Sequence, residues 1–513
     1  MKRRPKPHAR RPRRPSAAQT AEPPEPLPRH SGIRFVLGIG VAAILLAMGR
    51  MMSSASADTL IPVLASLYRW TWFYWGQNRL GLPIALVAGV FHNPLHNLIV
   101  QTVLSSFFAL ASFALVGVFV AGRYRATVVG LAAAALFVAA APAGFHQEFL
   151  TPGQSYGIGL TSAMLGLLVL EQWTTVRPAW RWLGAGLLLF FAFWANLAVV
   201  FFVGPLAGLR SLWGPEDAPA DDESPRRWRR WQWLAVLVPT FAANFWIALS
   251  YRYQDDLSLA PLADVPEGLL RLSHNTLAAF DVSLALVVAA LTAAGITTAV
   301  LRRAHFRTLL RGSLAVLAGV LGYLTITVTS SHVWRNGLAF RYAIPAVVAI
   351  LATLVALALV SWLPLARKKY VALEWALMAS LLVATVVRHG MPSPAVVRTI
   401  IDDKFGKRTA QFLASGCPIL MGDYWEVWPT VFHTNLTLYE SGHKRVVWGL
   451  AHRAEVTMDL WGPLVGKTCM AVPATPISKS TASVLAQWFK IPSLVEIPQR
   501  PPLDQIVVVR AQP

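Results

Sequence analysis

Asp58 is a residue of this sequence whose type and position could do chemistry. It directly follows the first apolar segment, and no other carboxylate occurs between Glu25 and Glu148. A lone carboxylate at the face of a membrane can act as a general base that takes a proton from an attacking hydroxyl group. The alternative is a structural role, in which Asp58 caps a helix that begins at Thr59.

Aromatic and polar residues follow Asp58 in a predicted outer loop, residues 52–97. Its stretch 59–81 is rich in Trp and Tyr, which are typical of the headgroup level of a membrane. Trp and Tyr also stack on sugar rings, and amide side chains can bind hydroxyl groups. Interfacial anchoring remains the alternative explanation of the aromatics. The residues that we expect to contact substrate here are Tyr74, Trp75, Gln77, Asn78 and Arg79.

A second polar group lies in the predicted outer turn at residues 145–156. His146, Glu148 and Tyr156 are candidates for contacts with substrate hydroxyls, and the alternative is an ordinary solvated loop. His146 and Glu148 could also share a divalent ion, but one His and one Glu are a weak metal signal. We therefore predict neither a metal site nor a cofactor.

Arginines on the same predicted side could bind an anion. Arg341 lies in the outer segment NGLAFRY at the mouth of a late apolar segment, and Arg335 is an alternate. A guanidinium group binds phosphate through paired hydrogen bonds. The alternative for Arg341 is an arginine that reaches the interface and only marks topology.

Three further polar features are interpreted as structural. The adjacent carboxylates Asp255 and Asp256 are expected to point into water, and Glu374 is expected to reach Lys368 or Lys369. The cluster at residues 422–429, GDYWEVWP, has two interpretations. It is either a platform for a saccharide or a packed seam against the membrane domain.

The composition indicates which elements must position these residues. Of the 513 residues, 55% are hydrophobic and only 14% are charged, which is too apolar for a solvated surface to cover. Apolar segments long enough, or nearly long enough, to span a bilayer occur between residues 33 and 388. They are predicted at 33–51, 98–121, 126–142, 157–170, 183–209, 231–250, 282–301, 312–329, 342–362 and 371–388.

The segment at 183–209 decides the number of spans, because basic loops flank both of its ends. If the chain turns at Trp194-Ala195-Asn196, two short helices form and about 11 membrane helices result. Residues 80–91 are too short to span and are predicted to form an interfacial helix.

The distribution of basic residues predicts the orientation. With the hairpin, 26 Lys and Arg lie on the predicted cytoplasmic side and 7 on the other side. Because basic loops stay inside, the N-terminus is predicted to be cytoplasmic and the C-terminal part external. Cleavage after Ala57 as in a signal peptide is an alternative, which the long basic region before the first span disfavours.

The chain is thus predicted to have three parts. Residues 1–32 form a disordered, Pro-rich basic tail, and 33–388 form the membrane domain. Residues 389–513 form a small exported α/β domain with β-like runs at 418–421, 445–449 and 506–509. Cys417 and Cys469, the only cysteines, both lie in this exported part and are predicted to form a disulfide bond.

The membrane domain resembles the GT-C superfamily of integral-membrane glycosyltransferases. The resemblance rests on an acidic residue directly after helix 1, the Trp- and Tyr-rich outer loop, the short helix pair at 183–209, the segment Asn336–Tyr342 and an exported C-terminal domain. Many members have Asp-Glu after helix 1, where this chain has Asp58-Thr59.

This resemblance implies a polytopic GT-C-like fold in a bacterial inner membrane. It implies transfer of a sugar from a polyprenyl-phosphate carrier to a glycan, lipid or protein acceptor on the periplasmic face, with Asp58 as general base. Arg341 or Arg335 would bind the donor phosphate.

Other function classes remain as alternatives. A transporter usually has related halves with interrupted helices and buried charges, neither of which is evident here. A different membrane transferase and a non-catalytic envelope assembly protein are the remaining possibilities. Nucleic-acid binding is not expected, because the basic residues mark topology and do not form one folded face.

Overall fold

The computed structural model describes residues 31–513, apart from 76, 78, 79, 124, 173–175, 214–222, 252–257, 364–366, 452–468, 489, 490, 492, 500–502 and 513. The predicted disordered tail therefore lies almost wholly outside the described residues. Four residues named above, Asn78, Arg79, Asp255 and Asp256, also lie outside the described residues.

Apolar helices make up most of the described chain between residues 31 and 389. They are α1 (Ser31–Ala47), α4 (Pro94–Ala121), α5 (Ala126–Ala140), α7 (Tyr156–Gln172), α8 (Pro178–Ala195), α9 (Val200–Trp213), α10 (Glu223–Ser250), α12 (Val282–Leu301), α13 (Arg303–Val328), α15 (Ile344–Leu359) and α16 (Arg367–His389). Every span predicted from the sequence corresponds to one of these helices or, at 183–209, to a pair. Among the described residues, six helices are long and apolar enough to cross a membrane, and shorter apolar helices accompany them. The chain is a multi-pass membrane protein.

Small residues allow the membrane helices to approach closely. A Cβ atom added at Gly130 of α5 would lie 2.5 Å from the Cβ of Ala114 in α4. One added at Gly157 of α7 would lie 2.7 Å from the Cα of Ala109, also in α4. Such contacts are typical of helix pairs in membranes, where backbones pack closely through glycine and alanine. They make α4 the central helix of the bundle.

The chain turns at Asn196, as predicted for residues 183–209. The helix α8 ends at Ala195, a short 3-10 helix covers Leu197–Val199, and the Asn196 side chain accepts a hydrogen bond from the Ala198 N–H at 3.1 Å. Gly186 of α8 and Gly208 of α9 both face the same stretch of α10, near Val236 and Trp233 respectively. Both helices therefore run beside α10, as two arms that turn at Asn196.

A buried ion pair corrects the expectation for Glu374. The carboxylate of Glu374 in α16 accepts hydrogen bonds from Arg34 of α1, whose Nε lies 3.2 Å away, and from Thr127 of α5 at 2.9 Å. The predicted partners Lys368 and Lys369 are exposed on the same helix. Three helices are joined through Glu374, because α1 and α5 bring polar groups to a carboxylate that is itself buried.

Short helices lie between the spans on the side of Asp58. They are α2 (Ala57–Tyr68), α3 (Pro83–Ala88), α6 (Ala143–Leu150), α11 (Val265–Ala278) and α14 (Ser331–Arg335), with 3-10 helices at Arg50–Ser54, Leu262–Asp264 and Phe340–Ala343. The helix α3 lies within the predicted interfacial segment 80–91. It buries Ile84 and Ala85 and exposes Leu86 and Val87, as expected of a helix at the edge of the bilayer.

The C-terminal domain combines helices with one sheet. The helices are α17 (Pro394–Phe405), α18 (Thr409–Ala414), α19 (Tyr424–Glu440) and α20 (Pro476–Trp488). The strands are β1 (Ile419–Met421), β2 (Trp448–Leu450), β3 (Cys469–Pro473), β4 (Ser493–Glu496) and β5 (Ile506–Gln512). In the described residues the strand order is β2-β1-β3-β5-β4, with β1 parallel to β2 and β3, and β5 antiparallel to β3 and β4.

The predicted strands at 418–421, 445–449 and 506–509 correspond to β1, β2 and β5. Cys417, two residues before β1, is bonded to Cys469, the first residue of β3. The strands β3 and β4 were not predicted. The bond joins neighbouring strands across a segment that lies partly outside the described residues.

The cluster at residues 422–429 forms a packed seam against the membrane domain. Trp428 of α19 is fully buried, and its ring centroid lies 5.4 Å from that of Trp75 in the outer loop. Trp448 of β2 packs on the same Trp75 ring at 5.3 Å. The three indole rings bury apolar area between the two parts of the chain.

Candidate functional site

Asp58 lies in the first turn of α2 and does not cap it. The N-cap residue is Ser56, whose backbone N–H donates to Oγ1 of Thr59 at 3.3 Å in a capping box. The helix begins at Ala57, one residue before Asp58. The capping interpretation of Asp58 is therefore wrong, and its carboxylate is directed to other groups.

Tyrosine hydroxyls meet the carboxylate of Asp58. The hydroxyl of Tyr74 donates to Oδ1 at 3.2 Å, and that of Tyr424 donates to the same oxygen. The two phenol oxygens lie 2.9 Å apart. Gly153 packs against the backbone of Asp58, where an added Cβ would lie 3.0 Å from the carbonyl oxygen. The carboxylate of Asp58 is thus held by one hydroxyl from the outer loop and one from α19.

Arg341 faces the other oxygen of the carboxylate. Its Nη1 lies 3.9 Å from Oδ2 of Asp58, and the two side chains are 23% and 18% exposed. Arg341 also lies over the ring of Tyr342, 5.1 Å from its centroid, and contacts the Tyr342 hydroxyl at 3.3 Å. The guanidinium of Arg341 and the carboxylate of Asp58 therefore face each other, and both are partly exposed.

A cavity of about 430 Å³ is lined by both charged groups. Its polar wall includes Tyr74, Gln77, Tyr156 and His332 beside Asp58 and Arg341. An apolar part of its wall is formed by Leu197, Phe201, Phe241, Phe245, Leu249, Leu259 and Ile326. Except for Leu259, which lies in the loop after α10, these residues come from the 183–209 segment, α10 and α13, so the apolar part of the cavity lies among apolar helices.

The segment that carries Arg341 has an unusual backbone. Gly337 and Leu338 are both left-handed, with φ of 67° and 51°, and Leu338 is the only such non-glycine residue among those described. The Asn275 side chain of α11 donates to the carbonyl oxygens of both residues at 3.0 Å. These hydrogen bonds offset the cost of a left-handed leucine and fix the segment before Arg341.

Glu148 adds a second carboxylate near Asp58. It lies on α6 and is partly buried. Burial, opposed by the positive charge of Arg341 and assisted by the negative charge of Asp58, raises the pKa of Glu148 from 4.5 to about 7.

The structure places the other predicted substrate residues in different surroundings. Tyr74, Gln77 and Tyr156 line the cavity. Trp75 does not, because it is fully buried in the indole seam. Arg335 is exposed at the end of α14 and is not part of the cavity wall, so Arg341 is the arginine at the site.

His146 is also placed away from the cavity. It is 1% exposed, its Nε2 lies 3.2 Å from the carbonyl oxygen of Phe137, and its ring packs on those of Phe137 and His389. Burial lowers the pKa of His146 to about 4. The expected substrate contact of His146 is wrong because α6 turns this side chain into the protein core. In the part of the chain that the structure describes, no group of three or more His, Cys, Asp or Glu could hold a metal ion.

A second, polar cleft of about 370 Å³ lies beside the cavity. It is bounded by residues 53–57 and by Gln147, Lys404, Phe405, Trp425 and Pro429. The Lys404 ammonium donates to the carbonyl oxygen of Ser53, and Trp425 is 55% exposed. Ala57 lines the cleft and Asp58 lines the cavity, so the start of α2 separates the two spaces.

Two solved structures are similar to this chain. The first is ArnT from Cupriavidus metallidurans in its apo state, with 13% identity, 93% of this chain and 97% of that chain covered, and a TM-score of 0.46. The second is the Archaeoglobus fulgidus oligosaccharyltransferase, in complex with Zn and sulfate, with 10% identity, coverage of 93% and 73%, and a TM-score of 0.38. No protein-family model and no curated protein matches the sequence.

Proposed function

We propose that this protein is a GT-C-type membrane glycosyltransferase that moves a sugar from a polyprenyl-phosphate carrier to a hydroxyl group. The observation that carries the proposal is one cavity lined both by apolar side chains and by Asp58 and Arg341, with 3.9 Å between Nη1 of Arg341 and Oδ2 of Asp58. An apolar wall, a cation and a base in one cavity match the lipid tail, the phosphate and the reacting sugar of such a donor.

The donor fits the cavity in one direction. Apolar side chains of α9, α10 and α13 would contact the first isoprene units, and Arg341 would bind the phosphate. The phosphate departs with negative charge, so an arginine beside it stabilises the charge that develops on the leaving group. Tyr74, Gln77 and Tyr156 would then surround the sugar.

The reaction exchanges one bond at the anomeric carbon. The acceptor oxygen forms a bond to that carbon while the bond from the carbon to the phosphate oxygen breaks. The electron pair of the broken bond stays on the phosphate, and the acceptor proton passes to Asp58. We assign the polar cleft at residues 53–57, Gln147, Lys404 and Trp425 to the acceptor, because it adjoins Asp58 and is lined by hydroxyl, amide and ammonium groups.

The membrane orientation belongs to the same proposal. The N-terminus is cytoplasmic, and residues 389–513 lie on the periplasmic face of a bacterial inner membrane. This orientation is supported by the 26-to-7 distribution of basic residues. Asp58, the cavity mouth and the exported domain then share the outer side.

Sugar transfer by reconstituted protein tests the proposal, with a panel of radiolabelled polyprenyl-phosphate sugars. Asp58→Asn should bind the donor as the wild type does but lose about 10²- to 10⁴-fold in rate, because the amide accepts no proton. Arg341→Lys should weaken both donor binding and turnover, because a lysine keeps the charge without the paired geometry.

Asp403→Asn is the matched control, since this carboxylate is exposed on α17 and should transfer sugar at the wild-type rate. Undiminished transfer by Asp58→Asn would remove Asp58 from the reaction. A wild-type protein that transfers no sugar from any member of the panel would contradict the function itself.

A further inference from the structure

Tyr424 reaches the candidate catalytic carboxylate from the C-terminal domain. It is the first residue of α19 and stands 366 positions from Asp58 in the sequence. Its side chain is buried, and its hydroxyl donates to Oδ1 of Asp58. Tyr74, from the outer loop of the membrane domain, donates to the same oxygen and lies 2.9 Å from the Tyr424 hydroxyl.

The start of α19 is anchored within the C-terminal domain. The Asp423 side chain caps the helix by accepting from the Trp425 N–H at 2.9 Å. The backbone N–H of Asp423 donates to the Ser478 hydroxyl, also at 2.9 Å. The ring of Trp425 packs edge-on against that of Tyr424, with centroids 5.0 Å apart.

Glu426, two residues after Tyr424, adds further anchors. Its carboxylate accepts from the hydroxyls of Ser478 and Thr475, each at 2.7 Å, and pairs with Arg408 at 2.9 Å. Together with the cap at Asp423, these contacts bind the first turn of α19 to Arg408, just before α18, and to the start of α20. The position of the Tyr424 hydroxyl is therefore set by the C-terminal domain.

The hydrogen bonds at Oδ1 determine how the carboxylate is presented. With two phenols on Oδ1, rotation of the carboxylate would break both contacts, so Oδ2 stays on the side of Arg341 and the cavity. Removal of one donor should loosen this orientation and uncover Oδ1.

We propose that Tyr424 is a positioning residue of the catalytic centre and that the C-terminal domain thereby completes the active site. This inference rests on the proposed function, in which Asp58 is the general base. Tyr424 acts through Asp58, so its contribution depends on the carboxylate that it holds.

Tyr424→Phe tests the proposal, because it removes only the hydroxyl. A hydrogen bond to a charged group is worth enough to predict a loss in kcat of roughly 10- to 100-fold, with an unchanged KM for the donor. Tyr439→Phe is the matched control, since Tyr439 lies on the same helix and is 46% exposed.

A double-mutant comparison separates positioning from folding. In the Asp58→Asn background, Tyr424→Phe should cause no further loss of rate, because the carboxylate through which it acts is gone. The same proportional loss in both backgrounds, or full activity of Tyr424→Phe, would overturn the proposal.

A measurement without sugar keeps this inference distinct from the proposed function. Carbodiimide couples to carboxyl groups, and mass spectrometry can follow the labelling of Asp58, which lines the cavity. At one fixed pH, Asp58 should be labelled faster in Tyr424→Phe than in the wild type and in Tyr439→Phe, because one of the two hydroxyls that cover Oδ1 is gone. An unchanged rate of labelling would refute the role of Tyr424, whether or not the wild type transfers sugar.

Discussion

Glu148 shows how one residue can make the site sensitive to pH. The folded protein holds the Glu148 proton up to about pH 7, whereas an unfolded chain releases it near pH 4.5. The stability that comes from the protonated, buried group is therefore complete below pH 4.5 and is lost as the pH rises through 7. Above pH 7 the folded protein carries a second negative charge beside Asp58.

Glu148→Gln should remove this dependence, because glutamine does not titrate. Relative to the wild type, the variant should gain thermal stability as the pH rises from acidic to slightly alkaline values, by a few kcal/mol at most. Thermal unfolding in detergent across this range measures the difference. Glu267→Gln, at an exposed site on α11, serves as the control. Parallel curves for Glu148→Gln and the wild type would contradict the raised pKa.

The helix α11 gives structural support to the segment that carries Arg341. It buries Gly268, Leu272 and Thr276 against its neighbours and exposes Leu270 and Leu277, as expected of a helix at the outer interface. Its Asn275 holds both left-handed residues of the turn before Arg341. Arg341 is therefore positioned by α11, although α12 and α13 lie between the two in the sequence.

Asn275→Ala should weaken donor binding without changing the base. Loss of its two hydrogen bonds should cost about 1–3 kcal/mol and allow the turn at Gly337 and Leu338 to relax. We expect a raised KM for the lipid-linked sugar and an unaltered pH dependence of kcat. Ser273→Ala, at an exposed position of the same helix, should leave both unchanged. If KM does not change in Asn275→Ala, the turn does not control Arg341.

At the scale of the whole molecule, the hairpin at 183–209 determines which loops share a side. Because Gly186 and Gly208 lie beside the same part of α10, the basic residues that flank the hairpin are at one level. Arg181 contacts Gln232 of α10 there, at 3.2 Å. This arrangement is compatible with the predicted retention of all basic loops in the cytoplasm.

Alkaline phosphatase fusions test the orientation directly. A fusion after Gly390 should be active, because the C-terminal domain is expected outside, and fusions after Ala218 and His305 should be inactive. Activity of the fusion at Ala218 would mean that residues 183–209 cross the membrane once. Reporter expression measured by immunoblotting controls for unequal synthesis.

The sequence alone determined the features that follow from local composition. A bilayer requires about 20 apolar residues per helix, so the spans were predictable one by one, and the turn at Asn196 followed from the charges around it. Asp58 was recognisable because it follows the first apolar segment and is the one carboxylate between Glu25 and Glu148. The disulfide was predictable because Cys417 and Cys469 are the only cysteines and both lie in the predicted exported part.

Only the tertiary structure decided which polar and aromatic groups meet. Trp75 and His146 suit a binding site as well as a core, and the burial imposed by α19 and α6 placed both away from the cavity. Glu374 pairs with Arg34 across the bundle and not with a neighbour in sequence. Tyr424 could not be assigned to Asp58 beforehand, because a contact between residues 366 positions apart depends on how two domains pack and leaves no local pattern.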